Sequence, residues 1–589
     1  MGSLTQQLTV LVARSFEACG LDPKFGEVVV SQRPELGQFQ CNGALPAARI
    51  ARKSPRDVAQ AVVDALSERA WFADVSLAGP GFVNLTLTDE ALAAFLRQTA
   101  SDERLGCDPA DEPEVVLIDF GGPNVAKAMH VGHLRSSIIG DCLQRLFRFA
   151  GHRVVSDVHL GDWGTQMGML ICEMRRRRPD LPYFDAGFAG PYPAEPPVTI
   201  DDLEQMYPAV SARCKEDDVE ADAARQATVD LQEGRPGYRA LWQHFVDVSL
   251  AGLRRDFGRL GVTFDLWLGE SHAHSRIAAL IERLKAQGFA ARSEGAWIVP
   301  LGAGEGEGKE LPPLLLVKSD GAVLYGTTDL ATLEERVQDV GARRVLYVVD
   351  QRQALHFQQV FRAARLTGVA GETALEHIAF GTVNGPDGKP FKTRTGGVMR
   401  LQDLIGLAVE QVARRMEEAG VAQGYSEEER RDIAHKVGLA AVKFADLSNH
   451  RLSNYIFDLD KFTRFEGKTG PYLQYAAVRI QSILRKAEER GLAPGELLAP
   501  SATAERDLML RMGQLPDAVG AALAERAPNF LCEHLYELSQ AWSRFYQQCH
   551  ILSEPDEARR DSWLALAALC LRQIQLVLHL LGIEVPERM

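Results

Sequence analysis

Two histidines three residues apart, His130 and His133, form the part of the sequence best suited to chemistry. They follow an apolar run at 115–120 and open a helical pattern, and residues three apart share one helix face. A helix N-terminus offers unpaired N–H groups and a positive dipole end to phosphate. Two imidazoles there can donate to phosphate oxygens as charge develops in nucleotidyl transfer. Lys127 adds a mobile cation, and Gly132 leaves room for a flat base.

The segments around these histidines predict an open parallel sheet. The run at 115–120 indicates a buried strand, a helix should cover about 131–150, and the next strand should cover 152–158. This order is typical of a doubly wound α/β (Rossmann-type) domain, in which ligands bind at the carboxyl ends of the strands. A Pro-rich and then charged helical stretch at about 165–265 indicates an insertion. Strand patterns return at 297–301, 314–318, 345–349 and 377–380.

The two ends of the chain have a different character from this centre. Residues 1–110 predict a small α/β unit, with a helix at 4–18, a second helix capped by Ser54 with Pro55 at its first position, and a hairpin around 79–81. From about 406 onward strand signals almost vanish, which predicts an all-α bundle. We therefore expect domains at 1–110, 111–405 and 406–589.

Composition limits the class of protein. The balance of 65 basic and 79 acidic residues gives a net charge of −14, which argues against a polybasic nucleic-acid binder but leaves local basic patches possible. Nine scattered cysteines without a CxxC pair fit a reducing cytoplasm and predict neither disulfides nor structural zinc. We see no signal peptide or spanning segment and expect a cytoplasmic protein with no membrane partner.

The segment PNVAKAMHVGHLRSSIIGD, which begins at Pro123, resembles the HIGH motif of class I aminoacyl-tRNA synthetases. In this extended form it resembles the arginyl-tRNA synthetases, and further blocks carry the resemblance along nearly the whole chain. The family implies ATP-dependent activation of L-arginine and its transfer to tRNA(Arg). It also implies catalysis by Lys127, His130 and His133, ATP contacts from these residues and Gly132, and arginine contacts from Asn124 and His130. Many relatives have Ser-Ser where this chain has Gly121 and Gly122.

Further blocks imply an arginine pocket and an ATP-binding loop. Tyr325 and Asp329 lie four apart on one helix face and could hold a planar guanidinium, with Asp119 approaching from the neighbouring strand. By resemblance, Gln353 also contacts arginine and His356 lies near ATP. Lys392 and Arg394 fall where the family carries its KMSKS loop, and Lys392 would contact ATP. Thr393 replaces the second lysine of that motif, a role that Lys127 would take over.

Two regions resemble the tRNA-binding parts of the family. Phe82 and Asn84 match an aromatic-x-amide pair that contacts the tRNA D-loop, and Tyr475, Tyr546 and Met589 match residues at the anticodon loop. Residues 1–110 and 406–589 would then be the D-loop-binding and anticodon-binding domains. The resemblance also implies ATP with Mg²⁺ as substrate, activation that requires tRNA, no editing site and a monomer.

Several alternatives remain open from the residues alone. The histidine pair could be half of a metal site or simply cap a helix, although no third ligand stands at suitable spacing, and we predict no metal. The tyrosines of the helical region could be packing residues. Another HxGH nucleotidyltransferase acting on a small molecule would not need the two end domains. A non-catalytic RNA-binding relative should have lost the histidines.

Overall fold

The computed structural model describes residues 2–66, 69–302, 311–319, 321–385, 387–389, 399–420 and 424–589. Lys392 and Arg394 lie outside the described residues. The chain falls into two compact units. One combines Met1–Ala110, Val412–Ser448 and Asp460–Met589, and the other combines Asp111–Gln411 with Asn449–Leu459.

The N-terminal part of the first unit is an antiparallel sheet covered by helices, as the sequence predicts. Ser54 caps the third helix through a bond from the Asp57 N–H to its hydroxyl, and Pro55 is the first helical residue. The sheet order is β1-β2-β4-β3. The elements are α1 Leu4–Ala18, β1 Val28–Val30, β2 Phe39–Cys41, α2 Ala44–Ala51, α3 Pro55–Asp64, β3 Phe72–Ala78, β4 Phe82–Leu87 and α4 Asp89–Ser101.

The second unit is built on a parallel sheet, and the expected strand–helix–strand order around the histidines is confirmed. Its elements are β5 Val115–Phe120, α5 Val131–Phe149, β6 Arg153–Asp157, α6 Thr165–Arg177, α7 Ile200–Glu216, α8 Asp218–Gln232, α9 Pro236–Arg259, α10 Glu270–Ala286, β7 Ala291–Ser293, β8 Ala296–Val299, β9 Leu314–Val317, α11 Tyr325–Gln338, β10 Arg344–Val348, α12 Ala354–Leu366, β11 Ala374–His377, β12 Val383–Asn384 and the start of α13 Leu401–Glu418, whose residues from Val412 onward belong to the first unit.

Among the described residues the parallel sheet has four strands in the order β11-β10-β5-β6. β5 is therefore an inner strand, and α5 lies directly on it, because a Cβ added at Gly140 would come within 2.1 Å of the Phe120 ring. Of the four later strand patterns, the one at 345–349 joins this sheet as β10. The one at 377–380 is displaced, because the strand is β11 at Ala374–His377 and only His377 belongs to both ranges. Those at 297–301 and 314–318 pair antiparallel with each other and form a separate sheet, β7-β8-β9.

The insertion is helical, as predicted, and is organised around a buried charge. Glu173 is fully buried, and its carboxylate accepts bonds from Arg176, Arg177 and Arg213. The basic run that ends α6 therefore helps to neutralise an internal carboxylate, in addition to complementing the helix dipole.

The helical part of the first unit continues the chain after α13. One of its helices, α20, is long and apolar enough to cross a membrane, but 61% of its most apolar window is buried inside the fold. The elements are α14 Glu427–Leu447, β13 Tyr455–Ile456 (part of the second unit), α15 Leu459–Phe462, α16 Gly470–Glu489, α17 Thr503–Met512, α18 Leu515–Glu525, α19 Asn529–Gln548 and α20 Glu557–Leu580.

Candidate active site

The two histidines cap the helix that they begin. His130 is the N-cap of α5, and its Nδ1 accepts the Gly132 N–H at 3.0 Å. The His133 Nδ1 accepts the His130 N–H at 3.1 Å, so the two side chains form a reciprocal capping box. Their ring centroids are 4.0 Å apart. The capping alternative and the functional one are therefore compatible, because each ring still has its Nε2.

Burial keeps both rings neutral, and the capping bonds set which nitrogen carries the hydrogen. Burial, His130 and Lys127 lower the pKa of His133 to about 3. Burial, together with Lys127, also lowers the pKa of His130. Both rings are therefore neutral at pH 7, and because each Nδ1 accepts, each Nε2 carries the hydrogen. The pair presents two Nε2–H donors at a helix N-terminus, which is an arrangement suited to phosphate oxygens.

Gly132 is required for this capping geometry. A Cβ at this position would lie 2.7 Å from the His130 Cε1. Gly132 is exposed beside the ring. The prediction that it leaves room for a flat base is compatible with this position.

The loop before the histidines holds an unusual backbone. Gly121 and Gly122 have φ of +88° and +43°, and Ala126 has φ of +64°. A Cβ at Gly121 would also come within 3.0 Å of the Phe257 ring. Asn124 pairs with Gly161 in an isolated parallel bridge, beyond the carboxyl end of β6. The two glycines that differ from many relatives thus occupy conformations that serine would adopt only with strain.

Lys127 is held by a residue from the insertion. Its Nζ lies 4.3 Å from the centroid of the Tyr207 ring, which belongs to α7. A cation over an aromatic face is attracted by the negative ring quadrupole. Sequence reasoning did not identify Tyr207, since no local pattern links it to a loop eighty residues earlier.

The predicted arginine residues Tyr325 and Asp329 both lie in the first turns of α11. Tyr325 is 66% exposed, and Asp329 accepts a bond from His356 Nε2 at 2.5 Å. This bond raises the pKa of His356, against the opposing effect of burial. One Asp329 oxygen is thus used within the protein, but a carboxylate can accept at both oxygens. Gln353 is exposed in a 3₁₀ turn after β10.

Asp119, predicted as an arginine contact, is paired with a cation of the fold. Its Oδ2 accepts from Arg336 at 2.6 Å, and the same guanidinium donates to Asp157 Oδ2 at 2.8 Å. All three residues are buried. One oxygen of Asp119 therefore binds the protein's own guanidinium, and its contact with a substrate guanidinium stays a prediction.

Glu270 is a carboxylate that sequence reasoning missed. It is the first residue of α10, and burial raises its pKa to about 7, with Asp162 and Asp329 acting in the same direction. Glu270 in turn helps to raise the pKa of Tyr325, after burial. Glu270, Tyr325 and Asp329 thus lie in one acidic region. The available signal was an acidic residue after Gly269 at the start of a helical pattern.

The tRNA-binding candidates lie in the first unit. Phe82 is half-buried at the start of β4, whereas Asn84 is 1% exposed and its Oδ1 accepts from Gln40 Nε2 at 2.8 Å. The amide therefore lies behind Gln40 in the sheet. The Arg479 guanidinium lies 4.3 Å from the centroid of the half-buried Tyr546 ring.

Tyr475 and Met589 differ in accessibility but both reach the surface. Tyr475 is 42% exposed on α16, and Met589 is partly exposed at the end of the chain. Among the described residues, no group of three His, Cys, Asp or Glu side chains could hold a metal ion.

A parallel sheet with an HxGH pair capping the helix after its first strand fits an HxGH nucleotidyltransferase, and the match to a family model identifies the class as the class I aminoacyl-tRNA synthetases. The family model "tRNA synthetases class I (R), catalytic domain" matches residues 96–459. The models "Arginyl tRNA synthetase N terminal domain" and "DALR anticodon binding domain" match 6–87 and 473–589. The chain belongs to the arginyl-tRNA synthetase family.

Individual relatives agree with this assignment. The chain is 53% identical over 590 residues to an arginine–tRNA ligase of Maricaulis maris, and 51% identical over 591 residues to one of Hyphomonas neptunium. In both cases the match covers 100% of each chain. A crystal structure of arginyl-tRNA synthetase from Plasmodium falciparum has the same fold, with a TM-score of 0.82, 24% identity and 100% coverage of both chains.

Proposed function

We propose that this chain activates L-arginine with ATP and transfers it to tRNA(Arg). The arginine α-carboxylate attacks the α-phosphorus of ATP, and pyrophosphate leaves as the arginyl-adenylate forms. The 2′- or 3′-hydroxyl of the terminal adenosine of tRNA then attacks the carbonyl and releases AMP. ATP enters as its magnesium complex, and no covalent enzyme intermediate is needed.

The single observation that carries the proposal is the capping box of His130 and His133. Its neutral rings present two Nε2–H donors where negative charge increases on the α-phosphate. Lys127, three residues before His130, supplies a positive charge for the phosphates. Lys392 and Arg394 are proposed as further catalytic residues, with Lys392 also contacting ATP, on sequence grounds alone.

The arginine pocket is proposed from the acidic region of the second unit. Asp329 and Glu270 would accept from the guanidinium, and Tyr325 would contact it through its exposed ring. Asn124 and Gln353 would bind the amino-acid end, and His356 would act through Asp329. Asp119 supports the site indirectly through Arg336.

For tRNA we propose contacts on both parts of the first unit. Phe82 would stack on a D-loop base, with Asn84 acting through Gln40. Tyr475, Tyr546 and Met589 would contact the anticodon loop. We also propose that activation requires bound tRNA, and that the protein is a cytoplasmic monomer.

The test is aminoacylation of tRNA(Arg) with labelled arginine and, separately, with labelled lysine. We expect charging with arginine only, because lysine lacks the planar group that two carboxylates can hold together. Charging with lysine at a comparable rate, or no charging by folded protein, would contradict the proposal.

A further inference from the structure

One face of insertion helix α7 contacts two segments next to the histidine pair. One is the loop that contains Lys127, and the other is the segment that contains Arg400. Glu204 and Tyr207 are three residues apart on α7, so they share a face. Tyr207 lies under the Lys127 ammonium, at 4.3 Å from ring centroid to Nζ. Lys127 itself is three residues before His130.

Glu204 contacts the segment that pairs with His130. Its carboxylate accepts from Arg400, and its side chain is 13% exposed. Arg400 forms an antiparallel bridge with His130. Flanking bonds fix this bridge, from the Val131 N–H to the Met399 carbonyl at 3.1 Å and from the Leu401 N–H to the Met129 carbonyl at 2.9 Å.

These contacts allow the insertion to restrict the position of the Lys127 ammonium. Lys127 has a flexible four-carbon stem, and an ammonium restricted to one region loses less entropy when it meets phosphate. An aromatic ring restricts it without neutralising its charge, whereas a carboxylate would weaken its attraction for phosphate. The face therefore places the Tyr207 ring next to Lys127, whereas its Glu204 carboxylate pairs with Arg400.

We propose that Tyr207 and Glu204 are positioning residues, which hold Lys127 and the His130–Arg400 bridge for adenylate formation. The proposal rests on the proposed function of Lys127 as a phosphate contact. It assigns to the insertion a role in ATP chemistry that none of the sequence motifs indicated.

The principal test compares Tyr207→Leu with Tyr207→Phe in arginine activation assayed by ATP–pyrophosphate exchange in the presence of tRNA. Leucine removes the ring face, and we expect kcat to fall about 3- to 30-fold, the range of a cation–π contact. The KM for arginine should stay unchanged. Phenylalanine keeps the ring and should restore most of the lost rate. Gln205→Leu, on the exposed side of α7, is the matched control for a leucine on this helix.

A double-mutant cycle with Lys127→Met separates positioning from a structural role. If Tyr207 acts through Lys127, Tyr207→Leu should change kcat less than twofold, about the noise of such an assay, once the ammonium is absent. An equal loss in both backgrounds would overturn the proposal, as would an unchanged or raised kcat in the single variant. If Lys127→Met alone leaves exchange unaltered, the proposed function of Lys127 fails instead, and this inference with it.

Glu204→Gln tests the second contact. The amide keeps the shape but loses the charge that holds Arg400, so we expect a lower kcat and a higher KM for ATP, with thermal stability close to that of the parent protein. A normal KM for ATP with normal kcat would remove Glu204 from the proposal.

Discussion

The strongest prediction concerns the pH dependence of arginine binding. Glu270 lies at the start of α10, and burial raises its pKa to about 7. His159 opposes this rise, whereas the nearby Asp162 and Asp329 carboxylates add to it. A guanidinium needs an ionised carboxylate as partner. As the pH falls through about 7, Glu270 takes up a proton and the affinity for arginine should fall.

The size of the effect follows from the fraction of ionised Glu270. If arginine binds only to the ionised form, the apparent dissociation constant is multiplied by a factor of one plus the ratio of protonated to ionised carboxyl. This factor is about 11 at pH 6, about 2 at pH 7 and about 1.1 at pH 8. The KM for arginine should therefore rise about tenfold from pH 8 to pH 6. Glu270→Gln should raise the KM at pH 8 and remove most of this slope.

The assay is ATP–pyrophosphate exchange with saturating tRNA and ATP, at three pH values, for the parent protein and Glu270→Gln. The KM for ATP, measured in parallel, is the internal control, since burial lowers the pKa of His133 to about 3 and its ring stays neutral throughout this range. A flat arginine KM in the parent protein would refute the reasoning. So would an undiminished slope in Glu270→Gln, which would assign the titration to another group.

Three further predictions concern other parts of the site. His130→Ala should lower the rate of adenylate formation about 10²- to 10³-fold by removing a phosphate donor, with the Kd for tRNA unchanged by filter binding. Arg336→Met should lower the free energy of unfolding by about 3–5 kcal/mol in urea titrations at pH 7, because Asp119 and Asp157 would remain buried without their cation, and by less at acidic pH where they are protonated. Gly121→Ser should lower the free energy of unfolding by about 1–2 kcal/mol, because serine adopts the φ of +88° at this position only with strain. The expected observation is a lower midpoint of thermal unfolding. An unaltered stability in either of these last two variants would contradict the corresponding account.

The sequence predicted the local elements well, because their signals are local. Ser54 and Pro55 marked a helix start that the structure confirms, and the apolar run at 115–120 is the inner strand β5. The strand patterns at 297–301 and 314–318 were recognised, but their placement in a separate antiparallel sheet depends on pairing partners that no single segment reveals.

Candidate site residues were identified from the sequence where they belong to a motif, whereas contacts between distant segments were not. His130 and His133 were recognised from spacing, but their reciprocal capping depends on backbone geometry. The pairing of Asp119 with Arg336 joins residues far apart in sequence, so the sequence did not reveal this partner. Glu270 and Tyr207 belong to elements without any motif. Only the fold places Tyr207 beside Lys127 and Glu270 near Tyr325 and Asp329.

The most direct test of the central claim is exchange of labelled pyrophosphate into ATP, driven by arginine, with and without tRNA(Arg). We expect exchange that depends on arginine and appears only when tRNA is present. Exchange without tRNA would retain the enzyme and remove the coupling. No arginine-dependent exchange in either condition, by protein shown to be folded, would contradict the proposed roles of the capping histidines and of the acidic pocket.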